Sequence, residues 1–198
     1  MSSSPLDNLY LEILPTNTVD LYRVWDRAGS DWEPNPYAGS GRVDCPVKPS
    51  EFEMLYVSTT ALTAIQESRL LTERSGGTGW IFHRSRAAGF KITVYRTATP
   101  LPAAPLDARN AALLGLDRTT LLDGKGPYQA AALRIRRERG ADVPALCWRS
   151  RHREADGLVL AIFHDKKLSI GLTRVSAMSL MDHPIIDVLE RHPTVILG

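Results

Sequence analysis

The chain has 198 residues and a formal net charge of +2, and 43% of its residues are hydrophobic and 23% charged. These values are ordinary for a globular protein, so we expect a single domain with one core. The low net charge argues against a protein that mainly binds nucleic acid, because such domains usually carry a strongly basic stripe. No apolar run approaches the roughly 20 residues that cross a bilayer, and the first residues lack a secretory signal pattern. We therefore expect a soluble, cytoplasmic protein.

The residues that commonly bind metals are scattered. Cys45 and Cys147 are far apart and belong to no Cys/His cluster, so we expect free thiols. The five histidines lack metal-ligand spacing as well. The sequence therefore predicts no metal site.

The first recognisable element is a strand over residues 19–25, followed by a long loop. Residues 19–25 (VDLYRVW) are rich in β-branched and aromatic side chains and place Arg23 on the face opposite Tyr22 and Val24. Residues 26–50 are rich in Gly, Pro, Asn, Asp and Ser, which is typical of turns. A loop of this length inside a compact domain is more often functional than not.

A second strand and a helix come next. Residues 54–58 (MLYVS) predict a short buried strand, and Ser58 or Thr59 can cap a helix that runs toward Arg74. Glu67 lies within that helix, where small and apolar neighbours one turn away predict a partly buried carboxylate.

The remaining elements complete a mixed fold. The Pro-rich residues 99–106 are expected to connect elements, and a helix is expected from Pro127 to Gly140. Strands are predicted over residues 91–97, 145–148, 158–163 and 168–175, and a short helix over 184–191. The pattern indicates an α/β fold of the mixed α+β kind.

The helix before Gly140 is crowded with arginines. We expect this face to be solvated beside Glu138 and not to bind nucleic acid, although an acidic partner stays open. Its four arginines are Arg134, Arg136, Arg137 and Arg139.

Several polar residues that could carry chemistry lie next to apolar elements. Arg23 is on the first strand, Tyr56 on the second, Glu67 on the following helix and Ser150 just beyond the strand ALCW. Strand ends and the long loop, which contains Arg42, could enclose a cleft between them. These residue types suit a substrate that contains a nucleotide and a sugar.

Cleavage of a nicotinamide–ribose bond would use all five side chains. Positive charge grows on the ribose as neutral nicotinamide leaves, so a carboxylate such as Glu67 would stabilise the transition state. Arg23 and Arg42 have the fork geometry that fits diphosphate oxygens. The ring of Tyr56 could stack on nicotinamide or ribose, and the Ser150 hydroxyl could orient the ribose.

Four segments together resemble the RES domain, a family named for an Arg, a Glu and a Ser, which here match Arg23, Glu67 and Ser150. The resemblance covers about 150 residues, and its two long motifs keep both order and spacing. The segments are LYRV (21–24), GSGR (39–42), LYVSTTALTAIQES (55–68) and CWRSRHREADGLVLAIFHD (147–165).

The resemblance implies a fold similar to the ADP-ribosyltransferase toxins and an enzyme that takes NAD+ as substrate and needs no cofactor. RES proteins are commonly toxins of toxin–antitoxin pairs, which degrade NAD+ by hydrolysis or phosphorolysis and are covered by an Xre-type helix-turn-helix antitoxin. The family's active-site Tyr and loop Arg match Tyr56 and Arg42. The sequence departs from the family where Val43, Asp44 and Cys45 follow Arg42, because the family usually has an aromatic residue there.

We expect a single RES-like domain over residues 1–198, with a core over about 19–170 and a C-terminal extension over about 171–198. The extension could close the fold, form a homodimer or meet a partner. Two other functions stay open: a protein ADP-ribosyltransferase, and a non-catalytic module that binds an antitoxin or another partner.

Overall fold

The computed structural model describes residues 4–26, 29–34, 41–77, 79–116, 124–150, 152 and 156–198. The strands among them are β1 (Glu12–Leu14), β2 (Leu21–Asp26), β3 (Met54–Ser58), β4 (Leu71–Glu73), β5 (Trp80–Phe82), β6 (Phe90–Thr97), β7 (Leu101–Pro105), β8 (Ala145–Arg149), β9 (Leu158–Phe163), β10 (Leu172–Ser179) and β11 (Val195–Leu197). The α-helices are α1 (Ala61–Glu67), α2 (Arg84–Ala87), α3 (Ala111–Leu114), α4 (Gly126–Arg139) and α5 (Ile185–Arg191).

Most strands belong to one large sheet. Its order is β1-β7-β8-β9-β3-β2-β6-β10, in which β7 and β8 are parallel and the other neighbours antiparallel. A smaller sheet has the order β11-β5-β4. The predicted mixed α/β fold is confirmed, and it is consistent with the fold that the family resemblance implies.

Alternate side chains of the central strands pack on opposite faces of the large sheet, as the pleat of a strand requires. On β3, Met54 packs with the helix α4 side of the core, whereas Leu55 and Val57 pack with Leu21 and Tyr95 on the other face. A third apolar cluster joins α1, the small sheet and α5. The first cluster borders Tyr56, and the third contains residues of α1, so packing fixes two of the elements that carry candidate residues.

Helix α1 is shorter than the sequence predicted. Thr60, not Ser58 or Thr59, caps it by accepting a hydrogen bond from the Thr63 amide, because Ser58 is still paired in the sheet. The helix ends at Glu67, and Arg69 then adopts a left-handed conformation with φ of 57°. The predicted continuation to Arg74 was wrong because β4 pairs there with β5.

The predictions for residues 99–106 and 168–175 were also partly wrong, because they did not include strand pairing. Residues 101–105, in the expected Pro-rich connection, form strand β7, in which Ala103 and Ala104 are fully buried between β1 and β8. The strand predicted over 168–175 begins only at Leu172, after a turn in which Gly171 has φ of 61°. Pairing with distant strands decided both outcomes, and local composition does not show such pairing.

The other predicted elements are confirmed to within two residues at each end. They are the strands predicted over 19–25, 54–58, 91–97, 145–148 and 158–163, the helix with Pro127 in its first turn and Gly140 as its C-cap, and the final short helix. β10 lies at one edge of the large sheet and β11 joins the small one. The division at about residue 170 stays a prediction.

The arginines of α4 are engaged within the chain. Their partners are Glu138 for Arg134, Asp165 for Arg136, Glu51 for Arg137, and the Leu6 carbonyl and Asp142 for Arg139. These contacts neutralise much of the charge of the helix. None of the described helices is long and apolar enough to cross a membrane.

Candidate active site

A cavity of about 780 Å³ opens beside the central strands of the large sheet. Strands β2 and β3, the end of α1 and the loop around Gly41 line it. Four of the five predicted site residues are among the lining residues: Arg23, Arg42, Tyr56 and Glu67. The fifth, Ser150, reaches the cavity through its hydrogen bond to Glu67.

The structure joins Glu67 and Ser150 directly. The Ser150 hydroxyl donates to Glu67 Oε1 at 2.8 Å, and the His152 amide lies 3.4 Å from the same hydroxyl oxygen. Glu67 is the last residue of α1 and is exposed, so the expected partial burial of its carboxylate was wrong. The helix stops at this residue, which leaves its side chain at the cavity mouth. The carboxylate is therefore oriented by a neighbour and accessible to a ligand.

Arg23 lies on an interior strand and is only 8% exposed. Burial lowers the pKa of its guanidinium, while Tyr95, Asp31 and Glu33 oppose that shift. Among the described residues, its Nη1 has no hydrogen-bond partner. A buried guanidinium with an unpaired donor beside a cavity is suited to bind an anion or a carbonyl oxygen.

Tyr56 is fixed through its hydroxyl. It donates to Asp44 Oδ1 at 2.6 Å, and Asp44 Oδ2 accepts a hydrogen bond from the Gly41 amide at 2.7 Å. Burial and the nearby carboxylate raise the pKa of Tyr56. The hydroxyl thus anchors the loop, and the aromatic ring is what remains to contact a ligand.

The same loop leaves no room for a side chain at residue 41. A Cβ atom on Gly41 would lie 2.2 Å from the Tyr56 hydroxyl oxygen and 2.7 Å from Asp44 Oδ1. Gln129 on α4 also donates to the Gly41 carbonyl at 3.0 Å. Glycine is therefore required by close approach at this position. Gly39 and Ser40 of the GSGR motif lie outside the described residues.

Arg42 is held over aromatic rings. Its guanidinium carbon lies 5.0 Å from the ring centroid of Tyr128 and 5.6 Å from that of Trp148. Such cation–π contacts orient a guanidinium. Arg42 is thus held in the loop that lines the cavity.

Two lining or supporting residues were not identified from the sequence. Asp44 is 8% exposed, and its position three residues after Gly41 in a glycine-rich loop was the available signal. Gln66 is 1% exposed, and among the described residues neither its Nε2 nor its Oε1 has a hydrogen-bond partner. Only its place before Glu67 could have drawn attention to it.

A family model described as the RES domain matches residues 20–177. The chain belongs to the RES domain family. The match includes all five predicted site residues of this RES domain and ends within β10.

This RES domain shares its fold with a chain in the crystal structure of the M. tuberculosis MbcT–MbcA toxin–antitoxin complex. The TM-score is 0.51 at 12% sequence identity, over 86% of this chain and 84% of that chain. The likeness concerns the fold alone. No curated protein sequence matches the chain. Within the part of the RES domain that the structure describes, no three His, Cys, Asp or Glu side chains could hold a metal ion together.

Proposed function

We propose that this RES domain is an NAD+-consuming enzyme that cleaves the nicotinamide–ribose bond. The observation that supports it most is the Glu67 carboxylate, which Ser150 holds at 2.8 Å at the mouth of a cavity that also contains a buried arginine. Membership of the RES family agrees with this chemistry. NAD+ is the substrate, and the reaction needs no further cofactor.

Glu67 stabilises the positive charge that develops on the ribose. When the bond between C1 of the ribose and the ring nitrogen breaks, its electron pair stays on nicotinamide, which leaves as a neutral molecule. A fixed carboxylate beside the ribose is effective because it needs little reorganisation as the charge appears. The hydrogen bond from Ser150 provides that fixed orientation.

The two arginines bind the rest of the dinucleotide. Arg23 is buried and has an unpaired Nη1 among the described residues, and Arg42, which also lines the cavity, is held over two aromatic rings. Guanidinium groups suit the diphosphate or the nicotinamide carbonyl. The ring of Tyr56 stacks on nicotinamide or ribose, because its hydroxyl already contacts Asp44.

Water or phosphate then accepts the ribose carbon. With water, NAD+ gives nicotinamide, ADP-ribose and one proton; with phosphate, it gives nicotinamide and ADP-ribose carrying a phosphate on the same carbon. The exposure of Glu67 supports access for a small acceptor. Residue identity does not choose between the two acceptors.

The proposed biological role is that of a toxin controlled by an antitoxin. The likeness to a chain from a toxin–antitoxin complex supports it. A partner of the Xre-type helix-turn-helix class would block the reaction by covering the exposed carboxylate of Glu67. The homodimer and the cytoplasmic location stay predictions of the sequence.

The decisive experiment follows NAD+ and nicotinamide over time with purified protein, with and without phosphate. We expect Glu67→Gln to lower the rate by roughly a hundredfold or more, since it removes the charge that stabilises the transition state. Glu73→Gln is the matched control, because Glu73 is an exposed glutamate that does not line the cavity. Equal rates for wild type and Glu67→Gln would contradict the mechanism.

Two outcomes would favour the other functions. Transfer of labelled ADP-ribose to a protein, in place of free ADP-ribose, would identify a protein ADP-ribosyltransferase. No loss of NAD+ under any condition, together with tight binding of a helix-turn-helix partner, would identify a non-catalytic module.

A further inference from the structure

Gln66 is a buried polar side chain that the described part of the chain leaves unpaired. It is 1% exposed, it lines the cavity, and both polar atoms of its amide lack a partner among the described residues. Buried polar atoms are nearly always hydrogen-bonded, because leaving them unpaired is costly. An amide in this state beside a cavity is suited to a ligand that offers one donor and one acceptor.

The position of Gln66 indicates which part of a ligand it meets. It directly precedes Glu67, whose carboxylate must lie next to the ribose carbon that bears nicotinamide if the proposed function holds. Gln66 is buried whereas Glu67 is exposed, and both residues line the cavity. The group attached next to that ribose carbon that carries a donor and an acceptor in one plane is the carboxamide of nicotinamide.

The chemistry of the two amides is complementary. A glutamine side chain has an NH₂ donor and a carbonyl acceptor in one plane, and the nicotinamide carboxamide has the same pair. Arg23, in contrast, can only donate, so it cannot distinguish a carboxamide from another carbonyl. Recognition of the carboxamide NH₂ therefore requires an acceptor, which Gln66 Oε1 provides.

We propose that Gln66 is the specificity-determining residue for the nicotinamide carboxamide, with Nε2 donating to its oxygen and Oε1 accepting from its NH₂. The assignment rests on the proposed function for its choice of ligand. Gln66 is not a group that breaks the bond; it selects and orients the leaving group.

The test compares the binding of NAD+ and of its 3-acetylpyridine analogue, in which a methyl ketone replaces the carboxamide. Calorimetry on Glu67→Gln protein measures both affinities without turnover. We expect the analogue to bind roughly ten- to a hundredfold more weakly, because its methyl group leaves Gln66 Oε1 unpaired. In the Gln66→Met/Glu67→Gln protein, this preference should shrink to about twofold or less.

Asn8→Met in the same background is the control. It removes a side-chain amide from an exposed residue that does not line the cavity, and the preference for NAD+ should persist. Melting temperatures without ligand show whether the variants are folded. Because Gln66→Met removes two unpaired polar atoms, its melting temperature should not fall.

The outcomes separate this inference from the proposed function. No preference in the protein that retains Gln66, an unchanged preference in Gln66→Met, or no binding of either ligand would overturn the role of Gln66. NAD+ consumption by wild type without such a preference overturns only this inference. A preference without any consumption overturns only the proposed reaction.

Discussion

Replacing Tyr56 by Phe removes one hydroxyl group and tests whether the Tyr56–Asp44 hydrogen bond holds the loop over the cavity. The bond measures 2.6 Å and ends on a carboxylate that is only 8% exposed. A hydrogen bond to a charged group contributes about 1.5–3 kcal/mol, and water cannot easily replace it in a buried site. For a chain of this size, the melting temperature should fall by about 3–12 °C.

A double-mutant cycle measures the bond itself. Tyr56→Phe, Asp44→Ala and the double variant are compared by urea unfolding, and the coupling energy should be about 1.5–3 kcal/mol. Tyr10→Phe is the matched control, because Tyr10 is 48% exposed and its variant should change stability by less than about 0.5 kcal/mol. Additive effects in the cycle would refute the reasoning.

The same variant should also slow the proposed reaction. Without the hydroxyl, the loop loses the hydrogen bonds that Asp44 and the Val43 amide make to Tyr56 on β3, so the segment that carries Arg42 is held less firmly. We expect the rate of NAD+ consumption per enzyme to fall by roughly ten- to a hundredfold, because small displacements of active-site groups lower reaction rates by such factors.

Two further predictions concern the loop and the C-terminal helix. Gly41→Ala should destabilise the protein by about 1–3 kcal/mol in urea unfolding and lower NAD+ consumption, because its methyl group would meet the Tyr56 hydroxyl at 2.2 Å. His183 has its pKa lowered by burial, and its Nδ1 accepts the Ile185 amide at 3.2 Å, which only the neutral ring can do. The neutral His183 ring therefore stabilises the folded protein fully above about pH 6.5, the pKa of histidine in the unfolded chain. This stabilisation is lost as the pH falls through the lower pKa that His183 has in the folded protein. Between about pH 7 and about pH 5, the melting temperature should therefore fall less for His183→Asn than for wild type.

Each of these two predictions has a matched control. Gly126→Ala should be close to neutral, because a Cβ at that glycine meets nothing within 4 Å. Val188→Asn replaces an exposed side chain of α5 that does not titrate, and it should leave the pH dependence of wild type unchanged. A destabilised Gly126→Ala, or equal pH profiles for His183→Asn and wild type, would contradict the reasoning.

Much of the candidate site could be predicted because its residues lie on or directly after elements that the sequence marks. Arg23 and Tyr56 lie on strands with clear apolar patterns, and Ser150 directly follows another. Gln66 and Asp44 could not be predicted as site residues, because their importance comes from burial and from partners distant in space. A polar residue in a helix or loop is far more often exposed to solvent than buried in a site.

The sequence by itself determined the strongly patterned elements and the family. Periodic apolar residues and the Pro127 and Gly140 boundaries fixed β2, β3, β6, β9 and α4, since these signals are local. Only the tertiary structure decided that the helix before Glu67 stops there, that the Pro-rich segment becomes β7 and that Arg23 is buried. Each of these depends on which strands pair and which faces pack, and the free energy of such long-range contacts outweighs the local preference of the chain.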